Sequence, residues 1–287
     1  MIIDVARTAG FCFGVRNAIK AAEKAAEEEK VRNQNGTVHT YGPLIHNAQA
    51  ISELEAKGVF SVDKTEDLPA GSVVVIRAHG VGRKEEEELR RQGFRVIDAT
   101  CPNVKKIHQI AASFQEEPGN RFVILGDPEH PEVRGIRGWC SFDACIYRNA
   151  EEFKARPPKE KKLTVVQQTT FNRVRYEEIL NLMQQMGYEI DVRQTICSAT
   201  MKHQEEAMSM ASEHDVMIVI GGKNSSNTQK LYELCRERCP RTFFAEKADD
   251  LENVVLGSDI RSIGITAGAS TPDHVIEEVR RKLEVRR

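Results

Sequence analysis

The 287-residue chain contains no hydrophobic run long enough to cross a membrane. Its longest apolar stretches, such as VMIVI (216–220), have the length of buried strands. An excess of one charge is missing too, since 41 basic residues accompany 43 acidic ones. These features argue against a membrane protein and against the basic stripe of a nucleic-acid binder. The first residues lack the charged and hydrophobic regions of a signal peptide, so we expect a cytoplasmic protein.

Several cofactor signatures are also lacking. The chain has no Gly-rich phosphate loop, and the segment GGKNSSN (221–227) does not match the dinucleotide-binding pattern G-x-G-x-x-G. Its seven cysteines are an odd number in a chain without a secretion signal. A disulfide framework is therefore not expected, and metal binding or catalysis is the better use for these thiols.

Three cysteines lie in matched settings, in AGFCFGVRNAIKAA, DATCPNVKKIHQIAA and QTICSATMKHQEEA. Cys12, Cys101 and Cys197 are 89 and 96 residues apart, and each precedes a helical pattern of small and apolar residues. A nearly constant period is typical of repeated structural units. We therefore predict three similar α/β units, over residues 1–97, 98–193 and 194–287.

The remainder of each predicted unit contains two strand-like runs, each ending in polar residues. These strand-end residues are His46, His79, His130, Glu132, Thr169, Ser225, Ser226, Asn227 and Ser270. Alternating strands and helices indicate parallel sheets, whose ligands collect at the carboxyl ends of the strands. The predicted fold is α/β, with three small parallel sheets around a pseudo-threefold axis and the functional site at its centre.

A cysteine at the start of a helix favours its thiolate, which is the form that binds metal. Soft thiolates select zinc or iron–sulfur clusters, and zinc usually takes its ligands in closely spaced pairs. Three cysteines about ninety residues apart favour a cluster with one open iron, although three ordinary buried cysteines remain an alternative. Cys140, Cys145, Cys235 and Cys239 are interpreted as packing or surface residues.

The strand-end residues suggest two further functions. The hydroxyl, amide and imidazole donors suit a phosphate or diphosphate at helix N-termini, while simple N-caps and structural histidines are the alternatives. His130 and Glu132, two residues apart, can form a proton relay that Thr169 holds in place.

The strings GFCFGV, IHN, AHGV, DATCP, HPEV, QTT, TIC-x-AT, GGKNSSN and TAGAS closely resemble the 4-hydroxy-3-methylbut-2-enyl diphosphate reductase family, which acts in non-mevalonate isoprenoid biosynthesis. The resemblance runs from Cys12 to about Pro272. One departure is His203, where relatives usually have Arg before the Gln.

The resemblance implies an oxidoreductase that reductively dehydrates 4-hydroxy-3-methylbut-2-enyl diphosphate to isopentenyl and dimethylallyl diphosphate. It implies one 4Fe–4S cluster per chain on Cys12, Cys101 and Cys197, with electrons from an external ferredoxin or flavodoxin. Glu132, with His130 and Thr169, would deliver protons, and the last two would also contact substrate. The diphosphate would be held by His46, His79, Ser225, Ser226, Asn227 and Ser270. A non-redox iron–sulfur hydro-lyase and a non-enzymatic cluster sensor are the alternatives.

Overall fold

The computed structural model describes residues 1–33, 37–115, 117–252, 254 and 257–285. These residues form twelve strands: β1 (Ile2–Val5), β2 (Val38–Tyr41), β3 (Val59–Val62), β4 (Val73–Ile76), β5 (Arg95–Asp98), β6 (Asn120–Leu125), β7 (Cys145–Tyr147), β8 (Lys162–Gln167), β9 (Glu189–Val192), β10 (Val216–Ile220), β11 (Thr242–Ala245) and β12 (Ser262–Ala267).

The same residues form ten α-helices: α1 (Phe13–Asn33), α2 (Ala48–Ala56), α3 (Arg83–Arg91), α4 (Pro102–Ser113), α5 (Pro131–Trp139), α6 (Ala150–Ala155), α7 (Arg173–Gln185), α8 (Ser198–Glu213), α9 (Ser226–Arg238) and α10 (Asp273–Val285). Among the described residues, no helix combines the length and the apolar character needed to span a bilayer.

The strands make three four-stranded sheets with the orders β3-β2-β4-β5, β7-β6-β8-β9 and β11-β10-β12-β1. Every neighbouring pair is parallel. Strands such as β4 and β10 are apolar at every position because both faces of a parallel sheet are covered, and all their residues are buried. The prediction of three small parallel α/β sheets is confirmed.

The first strand belongs to the last sheet. β1 pairs with β12, with Ile2 opposite Ser262 and Val5 opposite Ile265, whereas the range 1–97 had grouped this strand with the first unit. β1 thus takes the outer position that β5 and β9 take in the other sheets. Each of these three outer strands leads into one of the matched cysteines, which therefore follow the fourth strand of a sheet. A repeated sequence does not show which residue begins each structural unit. Only the strand pairing shows that β1 belongs to the last sheet.

The chain divides into two compact units. The terminal unit comprises residues 1–19, 45–57 and 198–287, and contains the sheet of β1 and β10–β12. The middle unit comprises residues 20–44 and 58–197, and contains the other two sheets.

Glycines allow two segments of the middle unit to pack with backbone contact. A Cβ on Gly138, in α5, would lie 2.5 Å from the Cα of Gly82, so the helix and the segment before α3 touch directly. At the end of α5, Trp139 donates its indole N–H to the carbonyl of Val81 at 2.9 Å, and its ring stacks on His108. These contacts hold the turn that follows β4 against α5.

Gly80 in this turn has φ +71°, and a Cβ there would lie 2.5 Å from Cε1 of the buried His108. We expect Gly80→Ala to lower the free energy of unfolding by about 2–4 kcal/mol, because left-handed strain and a steric clash add together. Gly93→Ala is the matched control, since Gly93 has φ +81° and open space around it. It should cost only about 1 kcal/mol. Denaturant unfolding measures both, and equal losses would show that His108 does not confine this turn.

Candidate active site

The three matched cysteines occupy the same backbone position in their three sheets. The amide N–H of each cysteine donates to a carbonyl that follows the neighbouring strand, at 3.1 Å from Cys12 to Ala269, 3.0 Å from Cys101 to Ala78 and 3.0 Å from Cys197 to Thr169. Directly after each cysteine the chain enters a helix, α1, α4 or α8. The three cysteines therefore share their backbone geometry as well as their sequence surroundings.

The chemistry of these cysteines fits an iron–sulfur cluster. All three are half-buried thiols. In the middle unit, Asn103 on the first turn of α4 donates its Nδ2–H to Sγ of Cys197 at 3.1 Å, which brings the helix that begins after Cys101 to Cys197. Half-buried soft sulfurs at helix starts suit iron, and an N–H donor to sulfur is typical of cluster surroundings. Cys12 lies in the terminal unit.

Two other cysteines lie in surroundings that disfavour the thiolate. Burial raises the pKa of Cys140 to about 12, and burial also raises the pKa of Cys235 to about 12. A thiol of such high pKa stays protonated and unreactive at neutral pH. This agrees with their interpretation as packing residues.

The middle unit brings the three predicted catalytic residues together. Glu132 is 2% exposed, and its carboxylate accepts hydrogen bonds from the backbone N–H of Thr169 at 2.5 Å and from its hydroxyl at 2.7 Å. His130 caps α5, and its Nδ1 accepts from the backbone N–H of Glu132 at 3.1 Å. The sequence His-Pro-Glu produces this arrangement locally, because proline suits the first helical position and leaves Glu132 in the first turn.

Burial dominates the electrostatics of Glu132. Desolvation raises its pKa from 4.5 to about 7, against the two hydrogen bonds from Thr169, which favour the carboxylate. A carboxyl group with a pKa near neutrality populates both protonation states at the pH of the cell. It can therefore donate a proton and recover it, as a general acid–base must.

The raised pKa predicts a stability that falls with increasing pH. The folded protein binds the Glu132 proton more tightly than the unfolded chain does, so this stabilisation is complete below about pH 4.5 and is lost as the pH rises through about 7. The difference in unfolding free energy between wild type and Glu132→Gln should change by about 3 kcal/mol across this interval. Denaturant unfolding at several pH values measures it. A difference that does not vary with pH would mean that Glu132 titrates normally.

The middle unit also places His79 beside His130. Their rings meet edge to face, with centroids 5.3 Å apart and an interplanar angle of 81°. His79 lies in the turn after β4, and His130 begins α5. Two predicted substrate-binding histidines from different sheets of this unit are therefore neighbours.

The terminal unit gathers the other predicted substrate-binding residues. The hydroxyl of Ser270 lies 3.4 Å from the carbonyl of His46 and 3.4 Å from the hydroxyl of Ser225. Ser225 caps α9, whose first two residues are Ser226 and Asn227. The loops that follow β10 and β12 thus meet the segment that leads into α2.

Asn227 has a donor ready for a ligand. Its Oδ1 accepts from the N–H of Ala269 at 3.0 Å. Its Nδ2 is buried, and no acceptor for it exists in the part of the chain that the structure describes. An unmade hydrogen bond of a buried donor costs free energy, which a bound oxyanion would recover.

A family model described as "LytB protein" matches residues 3–284. The chain belongs to the LytB family. A relative from Caldanaerobacter subterraneus subsp. tengcongensis, named 4-hydroxy-3-methylbut-2-enyl diphosphate reductase, is 44% identical over 99% of this chain and 97% of its own length. A relative of the same name from Aquifex aeolicus is 39% identical over 98% of this chain and 96% of its own length.

Two similar solved structures agree with membership of the LytB family. One, described as (E)-4-hydroxy-3-methyl-but-2-enyl diphosphate reductase, is 38% identical with a TM-score of 0.67 and covers 99% of this chain and 100% of its own. The Plasmodium falciparum E-1-hydroxy-2-methyl-but-2-enyl-4-diphosphate reductase is 25% identical with a TM-score of 0.87, covering 99% of this chain and 87% of its own. The family predicted from the sequence motifs is confirmed.

Two polar residues of this LytB family member were missed by sequence reasoning. Asn103 was not singled out, although its place two residues after Cys101 is a local signal. Glu206 on α8 accepts from the N–H groups of Arg7 and Thr8 at 2.9 and 2.8 Å, and so holds the segment between β1 and Cys12. Nearly two hundred residues separate these partners, and no local pattern reveals the contact. His203, the departure from the motif, is buried on the same helix.

Proposed function

We propose that the protein reductively dehydrates 4-hydroxy-3-methylbut-2-enyl diphosphate. The substrate takes up two electrons and two protons, its carbon–oxygen bond to the 4-hydroxyl breaks, and water leaves with isopentenyl or dimethylallyl diphosphate as product. The observation that carries this proposal is the buried carboxyl of Glu132, whose pKa of about 7 suits an acid in the neutral range. The names of the relatives supply the substrate.

We propose that Cys12, Cys101 and Cys197 hold one 4Fe–4S cluster per chain. When bound, such a cluster supplies one-electron transfer and an open coordination position for a substrate oxygen. Asn103 would stabilise the thiolate of Cys197 through its 3.1 Å contact. The electrons would come from an external ferredoxin or flavodoxin, because the sequence has no flavin or nicotinamide fingerprint.

Glu132 is the proposed proton donor. Thr169 donates to both carboxylate oxygens, so the orientation of the carboxyl group is fixed. His130 uses Nδ1 as an acceptor, which leaves the proton of the neutral ring on Nε2, where it can be donated. One proton goes to the departing hydroxyl, and the second goes to either end of the allylic carbon chain, which yields the two products.

Neutral donors would bind the diphosphate: Ser225, Ser226, Asn227, Ser270, His46 and His79. The N-terminus of α9 adds the partial positive charge of its free amides. Hydrogen bonds to an anion are about twice as strong as those between neutral groups, so this set can hold a diphosphate without lysine or arginine. The free Nδ2–H of Asn227 is the donor that the structure supports most directly.

The decisive experiment is anaerobic oxidation of a reduced viologen by the purified, cluster-loaded protein. Oxidation should depend on 4-hydroxy-3-methylbut-2-enyl diphosphate and should not occur with dimethylallyl diphosphate, which lacks the leaving hydroxyl. Dehydration without viologen oxidation would favour the hydro-lyase alternative. Inactivity with both compounds, in protein of full iron and sulfide content, would overturn the proposed reaction.

A further inference from the structure

A cavity opens at the carboxyl edge of the sheet β3-β2-β4-β5, within the middle unit. Its volume is about 280 Å³, and its walls include the residues that directly follow three parallel strands, namely Gly42 after β2, Asp63 after β3 and Arg77 after β4. Ligands of open parallel sheets bind outside this edge. His79 and His130, the predicted substrate-binding histidines of this unit, do not line the cavity.

Arg77 is the unusual group in this cavity. Its Nε is buried, and no hydrogen-bond acceptor for it exists among the residues that the structure describes. The guanidinium lies over Gly42, where any side chain would collide with Nη1. Desolvation lowers the pKa of Arg77; Glu85 acts to raise it, and Arg134 lowers it again. A buried donor without an acceptor is costly, and an anion that accepts from this Nε would remove that cost.

Arg134 and Tyr41 are further hydrogen-bond donors on the walls of the cavity. Arg134 extends from the first half of α5, whose N-terminal residue Pro131 also lines the cavity. Burial raises the pKa of Tyr41, so its hydroxyl remains a neutral donor. Glu85 and Asp63 oppose an anion; both are exposed, as Arg134 is, so solvent screens all three charges, and Glu85 already accepts from the N–H of Gly82 at 2.7 Å.

We propose that this cavity binds a small oxyanion, a phosphate or a short carboxylate, between Arg77 and Arg134 with the hydroxyl of Tyr41 as a third donor. A guanidinium presents paired N–H groups that match two oxygens of either anion. A volume of about 280 Å³ holds roughly nine water-sized groups of about 30 Å³ each, which is enough for either anion. Because Glu85 and Asp63 also line the cavity, we expect weak binding, with a dissociation constant of about 1 mM.

Calorimetric titration of the anaerobically purified protein with inorganic phosphate and, separately, with malonate tests the site in a phosphate-free buffer of low ionic strength. Arg77→Gln should weaken binding at least about 10-fold, because one charge-assisted contact is lost. Arg137→Gln is the matched control. This exposed arginine lies on α5, the helix of Arg134, but outside the cavity, and its loss changes the net charge equally. Asn227→Ala should bind the anion as wild type does, which separates this cavity from the residues proposed to hold the diphosphate.

Glu85→Gln should bind the anion more tightly than wild type, a result that a folding defect would not produce. Glutamine keeps the acceptor for Gly82 but removes the opposing charge, so affinity should rise about 3-fold. Binding of phosphate alone or of malonate alone would identify which oxyanion the cavity prefers. Neither anion binding, Arg77→Gln binding normally, or Asn227→Ala losing the anion would each overturn the proposal.

Discussion

Glu132→Gln should retain its iron–sulfur content and lose turnover by at least about 100-fold, since a general acid contributes between 10²- and 10⁴-fold. Glutamine has nearly the same shape and can still accept one of the two hydrogen bonds from Thr169, but it carries no transferable proton. The rate of substrate-dependent viologen oxidation measures the loss, and the iron and sulfide content shows whether the cluster site is intact. A loss below about 10-fold would exclude Glu132 as the principal proton donor.

Two variants separate the acid role of Glu132 from general damage. Glu129→Gln removes an exposed carboxylate three residues away and should leave turnover unchanged. Thr169→Val removes the hydroxyl donor at 2.7 Å but keeps the backbone N–H, so the carboxylate loses part of its stabilisation. The pKa of Glu132 should then rise further, and the alkaline limb of the pH–rate profile should move to higher pH. An unmoved limb in Thr169→Val would show that another group controls it.

Cys197→Ser should lose most of its iron and sulfide and all measurable turnover. A serine hydroxyl is harder than a thiolate and is protonated at neutral pH, so it is a much poorer ligand for cluster iron. Cys145→Ser is the matched control, because Cys145 is also half-buried, while burial raises the pKa of its thiol and so disfavours a ligand role. Elemental analysis and the visible absorption spectrum of anaerobically purified protein report the cluster. Normal iron and sulfide in Cys197→Ser, or an equal loss in Cys145→Ser, would contradict the ligand assignment.

Much of the fold follows from local sequence. Continuous apolar runs such as β4 and β10 are typical of parallel strands covered on both faces, and the structure buries every residue in them. The positions of His130 and Glu132 also follow locally, because a His-Pro-Glu segment after a strand begins a helix. Such features depend on neighbours a few residues apart and therefore appear in the sequence.

Other features depend on distant pairing and could not be predicted. The partner of β1 is β12, more than 250 residues away, and the repeat period alone does not show where one sheet ends. Glu206 and the segment before Cys12 meet only because β1 joins the last sheet, next to α8. The buried Nε of Arg77 could not be recognised from the sequence, which shows only an arginine near a strand end.

The sequence by itself determined three parallel sheets, the matched cysteines and the polar residues at the strand ends, because strand and helix boundaries depend on short-range chemistry. Only the tertiary structure decided that the two hydrogen bonds from Thr169 reach Glu132, 37 positions earlier in the chain. It also decided the acidity of that carboxyl. Glutamate ordinarily has a pKa of 4.5, and it reaches about 7 here because packing in the folded middle unit removes its water.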